Sequence, residues 1–115
     1  MRFTRPVYAR LRGECLALPG VTEKAAWGHP TFLTKTRTFC AFEIFAGRPS
    51  VAFRLDGPGS RRFSRRKHFF ATPYGRGVWV SRHLDVEIDW AELADLVERS
   101  YRAAAPKLPP RKRAK

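Results

Sequence analysis

The sequence predicts an α+β fold: a mostly antiparallel sheet of about four to five strands, flanked by an N-terminal and a C-terminal helix in two layers. Three observations carry this. Apolar residues recur at helical spacing near both ends, at Val7, Leu11, Cys15 and Leu18 and again at Trp90, Leu93, Leu96 and Tyr101. Between them, short runs of β-branched and aromatic residues are punctuated by turns of hairpin length. The 115 residues, 43% hydrophobic and 13% aromatic, hold enough apolar material for one core and are too few for two. Residues 1–105 are therefore read as one domain.

Thr4 can cap a first helix beginning near Pro6, where proline suits the first turn, and Leu18-Pro19-Gly20 ends it. A short turn is expected from Thr22 through Lys24 to Trp27, and Gly28-His29-Pro30 then forces extended backbone. Thr31–Thr34 and Thr38–Phe45 read as strands joined by a hairpin at Lys35-Thr36-Arg37, the second apolar on both faces and hence interior. After a turn at Gly47-Arg48-Pro49, Val51–Leu55 reads as a third strand, and Asp56-Gly57-Pro58-Gly59 breaks the pattern. Ser60 is the expected cap of a helix over Arg61–Phe70 that turns Phe63, Phe69 and Phe70 to the core. Thr72-Pro73-Tyr74-Gly75 makes a turn, and Val78–Leu84 alternates as a strand should. Asp89 with Glu92 forms a capping-box-like start to a helix reaching about Ala104. Residues 106–115, with prolines, five basic residues and no acid, read as a flexible cationic tail.

Charge is the most unusual property. Twenty-three Lys and Arg against 10 Asp and Glu give a net charge of +13 and a pI near 11.1, which attracts polyanions. Between Arg48 and Arg82 nine basic residues face a single acid, Asp56, whereas Asp85–Glu98 holds six acids and no base. Arg61, Arg62, Arg65, Arg66 and Lys67 on one short element suit successive phosphates, and Arg54, Arg76 and Arg82 extend the candidate surface. A solvated charged face is the competing reading of the same run. Gly57-Pro58-Gly59-Ser60 could offer backbone N–H groups to a phosphate. Trp27, Tyr74 and Trp79 could stack on bases, although aromatics within alternating strands are more commonly core.

No nucleophile with a base, carboxylate pair or Gly-rich phosphate loop stands out, and Glu23, Glu43 and Asp56 are isolated acids, so no enzyme is expected. Cys15 and Cys40 read as buried free thiols. No two of Cys15, Cys40, His29, His68 and His83 share a short ligand spacing, so neither metal nor cofactor is expected. No run approaches the roughly 18 apolar residues of a membrane helix, and no apolar stretch follows Arg2 and Arg5. A cytoplasmic monomer is the expectation. Its partner is nucleic acid, DNA in the first instance, bound without strong sequence preference since no helix-turn-helix or zinc-finger signature occurs. A protein-interaction module and a small-ligand domain are the alternatives.

Leu18-Pro19-Gly20-Val21-Thr22-Glu23, Gly28-His29-Pro30-Thr31-Phe32, Phe39-Cys40-Ala41-Phe42, Tyr74-Gly75, Trp79-Val80 and Ser100-Tyr101, in that order, resemble the MmcQ/YjbR family of small bacterial proteins. The resemblance runs from about Val7 to Leu108. It implies a compact α+β domain with an antiparallel sheet flanked by helices and a DNA-binding role, and it brings no catalytic residues.

Overall fold

Helix α1 (Arg5–Leu16) ends, as its sequence requires, just ahead of Gly20, whose φ of 75° is a left-handed value that glycine adopts without strain. The computed structural model describes residues 5–26, 29–35 and 37–105. The Thr4 cap, Trp27, Gly28, Thr36 and the tail from residue 106 lie outside them.

Six strands follow: β1 (Thr22–Ala26), β2 (His29–Leu33), β3 (Thr38–Phe45), β4 (Arg48–Arg54), β5 (Phe69–Ala71) and β6 (Trp79–His83). They form one sheet in the order β1-β2-β3-β4-β6-β5, with every neighbouring pair antiparallel. Helix α2 (Gly57–Ser64) stands between β4 and β5, and α3 (Trp90–Ala104) closes the fold.

Six strands slightly exceed the expected four to five, and the two that the sequence does not announce are the sheet's edges. Thr22–Ala26, expected as a turn, pairs with β2 along its whole length; its Thr-Glu-Lys start lacks the apolar alternation that marks a strand in sequence. Phe69–Ala71, expected as the end of a helix, pairs instead with β6. The helix stops early because Arg65 is its C-cap and His68 follows with a left-handed φ of 72°, through which no right-handed helix propagates. Its start also lies upstream of the expected one. The Asp56 carboxylate accepts the Gly59 N–H at 2.5 Å and Pro58 occupies the first turn, while the Ser60 hydroxyl donates to the Gly57 and Gly77 carbonyls.

The β3–β4 hairpin turns at Ala46-Gly47, one step before the expected Gly47-Arg48-Pro49. Both residues have positive φ, 53° and 79°, the signature of a two-residue turn whose twist matches the flanking strands. Helix α3 forms as its sequence predicts: Asp89 accepts the Glu92 N–H at 3.2 Å, and Leu93, Leu96, Val97, Ser100 and Ala104 are buried.

The sheet has two unlike faces. On the first, Cys40 and Phe42 lie opposite Phe53 and Val51, which in turn lie opposite Val80 and Arg82. Leu11 and Cys15 of α1 and Leu93, Leu96 and Val97 of α3 join these side chains in the main core. Tyr8 and Tyr101 meet Phe42 and Phe39 edge-on, at centroid distances of 4.9 and 5.8 Å. The second face is small and polar, with Ala41, Glu43, Ser50, Ala52, Ser81 and His83 in register. Residues 72–78 fold back over part of it. The Thr72 and Ser81 hydroxyls share a buried hydrogen bond of 2.7 Å, and the Tyr74 hydroxyl donates to the Glu43 carboxylate.

Candidate functional site

Five arginines converge at one end of the sheet. A concavity of about 560 Å³ is lined by Arg37 from the β2–β3 connection, Arg54 at the end of β4, Arg62 of α2, and Arg99 and Arg102 of α3. Asp56, Pro58 and Gly59 at the start of α2 complete much of its wall. Asp56 is the only acid in the lining, and one of its oxygens is already engaged with the Gly59 N–H. Arg99 and Arg102 each pair with a carboxylate one turn earlier on α3, Asp95 and Glu98. Such exposed i,i+4 pairs contribute only about 0.3–0.5 kcal/mol, so they yield readily to a stronger anion. Arg37, Arg54 and Arg62 form no ion pair among the described residues.

Of the eight basic residues singled out in the sequence, Arg54 and Arg62 enter this groove. Arg61, Arg65 and Lys67 are exposed around α2, and Arg76 is exposed in the turn after β5 with a φ of 57°. Arg66 is exposed too, but it pairs with Glu92 at 2.8 Å and lies over the Phe63 ring. Arg82 does not belong to any such surface. Strand alternation turns it to the helix face, where it is 3% exposed and donates to the His83 and Glu87 carbonyls at 2.8 and 3.1 Å. Burial pulls its guanidinium below the usual range, while Glu92, Asp89 and Glu87 oppose that pull. It is a structural cation. Sequence reasoning missed Arg37, Arg99 and Arg102, because a hairpin and a helix end converge on the groove only in the fold.

A second concavity, of about 510 Å³, opens on the polar face of the sheet and is lined by His29, Thr31, Ala41, Glu43, Tyr74 and Trp79, with Thr38 and Phe45 at its margins. Trp79 leans on Gly75, whose missing Cβ makes room for it: a Cβ there would sit 2.1 Å from Trp79 Cδ1. Gly75 also has a φ of 84°. Tyr74 is 46% exposed, and its ring centroid lies 6.2 Å from that of Trp79. Burial first, and then the bond to Glu43, push the Tyr74 phenol well above its ordinary range, so it remains a proton donor at neutral pH. Arg54 lies directly opposite Trp79 across β4 and β6, so the arginine groove and this pocket border one another. Among the described residues no three of His, Cys, Asp and Glu gather as a metal cluster.

The YjbR family model matches residues 16–103. The chain belongs to the YjbR family. No curated protein matches it. Two crystal structures show where this YjbR protein's fold recurs. One is the Deinococcus radiodurans protein DR2400, which carries the family-model domain DUF419: 18% identity, TM-score 0.70, covering 82% of this chain and 75% of that one. The other is a protein from Pseudomonas syringae: 9% identity, TM-score 0.69, covering 89% and 99%. At these identities the likeness is one of fold. Four of the six short motifs that carry the family resemblance meet in space in this YjbR protein, since His29, Thr31, Ala41, Phe42, Tyr74 and Trp79 all line the pocket on the polar sheet face.

Proposed function

We propose that this protein binds nucleic acid, with DNA as the first candidate, by holding backbone phosphates in the arginine groove as a cytoplasmic monomer. One observation carries the reading: Arg37, Arg54, Arg62, Arg99 and Arg102, drawn from four separate elements, border a single concavity that holds one acid. Chain folding that concentrates like charge is opposed by repulsion, and a polyanion relieves it. Arg61, Arg65 and Lys67 extend the positive surface along α2. Guanidinium groups suit phosphate because they donate in a planar fork. Such contacts fix affinity and register and carry little sequence information.

The test is binding of the full chain to a labelled single strand and a labelled duplex across a salt series, beside an Arg54→Ser/Arg62→Ser variant. Each phosphate contact lowers the slope of log K against log salt by about 0.7 for a single strand and about 0.9 for a duplex. The double variant is expected to flatten the slope by about 1.4 on a single strand. No binding by the intact protein near physiological salt, or an unchanged slope in the variant, overturns the reading.

A further inference from the structure

Glu43 is out of keeping with its surroundings. In a chain of net charge +13 it forms no ion pair among the described residues, and it faces a cavity walled by the Tyr74 and Trp79 rings. Its Oε2 accepts the Tyr74 hydroxyl, which fixes the carboxylate against the cavity wall and leaves most of its acceptor sites open. The cavity, at about 510 Å³, is of ligand-binding size. Just beyond Trp79, across one strand pair, stands Arg54 of the phosphate groove.

The two sites make opposite demands on a ligand. The groove favours anions, whereas the pocket offers acceptors and aromatic faces, and so favours a planar group with N–H donors. A nucleotide meets both, with phosphate outside and base inside. Among the bases, guanine presents two adjacent donors, N1–H and the N2 amino group, which match the two oxygens of one carboxylate. Adenine and cytosine each set a ring-nitrogen acceptor beside their amino donor, and thymine flanks its single N–H with carbonyls; each would turn an acceptor toward Glu43. Unpaired bases are read in this manner, by stacking on aromatics and by hydrogen bonds to the Watson–Crick edge.

We infer that the pocket on the polar face of the sheet takes an unpaired guanine of a bound single strand, with Glu43 accepting its N1–H and N2–H and with Tyr74 and Trp79 flanking the ring. The inference rests on the nucleic-acid reading above and adds base preference to it. The phosphate of that nucleotide then lies toward Arg54.

The experiment measures anisotropy of a labelled thymidine homopolymer and of the same strand carrying one central guanine, inosine or adenine. The full-length protein and its Glu43→Gln variant are compared. Glutamine still accepts the Tyr74 hydroxyl, so the variant changes the acceptor pair with little change in shape. The guanine strand is expected to bind at least about fivefold tighter than the homopolymer. Inosine, lacking the N2 amino group, keeps only part of that gain, adenine none, and the guanine-to-thymidine ratio collapses toward one in Glu43→Gln. Equal affinity for all four strands in the native protein, or a guanine gain that survives Glu43→Gln, overturns the inference while leaving the groove in place. A parallel arm titrates guanosine and adenosine monophosphates against tryptophan emission, with Trp79→Phe identifying the pocket's signal. If no strand binds but guanosine monophosphate quenches Trp79 in a Glu43-dependent way, the pocket stands and the strand-binding reading falls. If neither binds, both fall.

Discussion

Gly75→Ala isolates the contact on which the pocket's aromatic wall depends. The added Cβ falls 2.1 Å from Trp79 Cδ1 and 2.9 Å from Cγ. Carbon atoms pack at about 3.5–4.0 Å, so the ring must retreat by roughly 1.5 Å or the turn must open. The left-handed φ of 84° adds about 1–2 kcal/mol for any residue with a Cβ. Strain and displaced ring together predict a loss of about 2–4 kcal/mol. Gly77 supplies the control, since its φ of 81° is nearly the same and a Cβ there meets nothing within 4 Å. Gly77→Ala should therefore show the backbone cost alone, about 1–2 kcal/mol. Urea unfolding followed by far-UV circular dichroism gives both values, and near-UV circular dichroism reports the aromatic environment. If the two variants lose equal stability to within about 0.5 kcal/mol, the Trp79 contact does not hold the segment and the reasoning fails.

Four further outcomes are expected. Asp89→Ala removes the α3 cap and should cost about 1 kcal/mol in urea unfolding, with Asp89→Asn nearly neutral. Burial first, and then Arg48, hold the His83 imidazole below its ordinary 6.5, so the unfolded chain takes up a proton before the fold does. That contribution is full above about pH 6.5 and is lost as pH falls through the lower folded value; urea midpoints over that window should decline in the native protein and decline less in His83→Gln. Cys15 and Cys40 are both fully buried, and burial pushes the Cys40 thiol up, so a thiol reagent should modify neither until the chain unfolds. Arg82→Met keeps most of the buried stem but orphans two carbonyls, with an expected loss of about 2 kcal/mol and no change in the salt slope of nucleic-acid binding.

Periodicity located the elements whose burial is one-sided and long. Helix α3, with its Asp89 cap and its buried Leu93, Leu96 and Val97, is legible because local capping and tertiary burial agree. Strand β3 is legible as interior because Phe39, Cys40, Ala41 and Phe42 are all buried. The edge strands were not legible. Thr22–Ala26 gains its structure from pairing with β2 and carries little apolar signal, and Phe69–Ala71 follows a helical pattern that a left-handed His68 cuts off. Arg82 illustrates a different limit: a cation inside an alternating strand looks like surface until the strand is found to bury the face on which it stands. Two of the groove's five arginines, Arg54 and Arg62, were legible in sequence, while Arg37, Arg99 and Arg102 needed the fold. Glu43 looked isolated in sequence and is so in charge, yet its place beside Tyr74 and Trp79 follows only from residues 72–78 folding back across the sheet.

The acidic run from Asp85 to Glu98 offsets the basic surface only in part, and its geometry explains why. Asp85 is held by Arg48 at 2.7 Å, on the side of the sheet where the β3–β4 hairpin ends. Asp89 caps α3, and Glu92 answers Arg66 and the buried Arg82. Asp95 and Glu98 are each matched by an arginine of their own helix, Arg99 and Arg102. Among these acids the side chains with defined partners serve local needs, so they pair with Arg48, Arg66, Arg82, Arg99 and Arg102 and leave Arg37, Arg54, Arg61, Arg62, Arg65, Lys67 and Arg76 without an ion pair among the described residues. Fields of exposed charges fade over about 8 Å at physiological salt, so beyond the weak exposed pairs that Asp95 and Glu98 make with Arg99 and Arg102, the acids of this run do little to screen Arg37, Arg54 and Arg62. Among the described residues, Arg54, Arg61, Arg62, Arg65 and Lys67 gather five cations without an ion pair around α2 and the end of β4. Beside those cations, a lone carboxylate in an aromatic pocket gives the proposed ligand its two requirements, an anionic end and a hydrogen-bond-donating end.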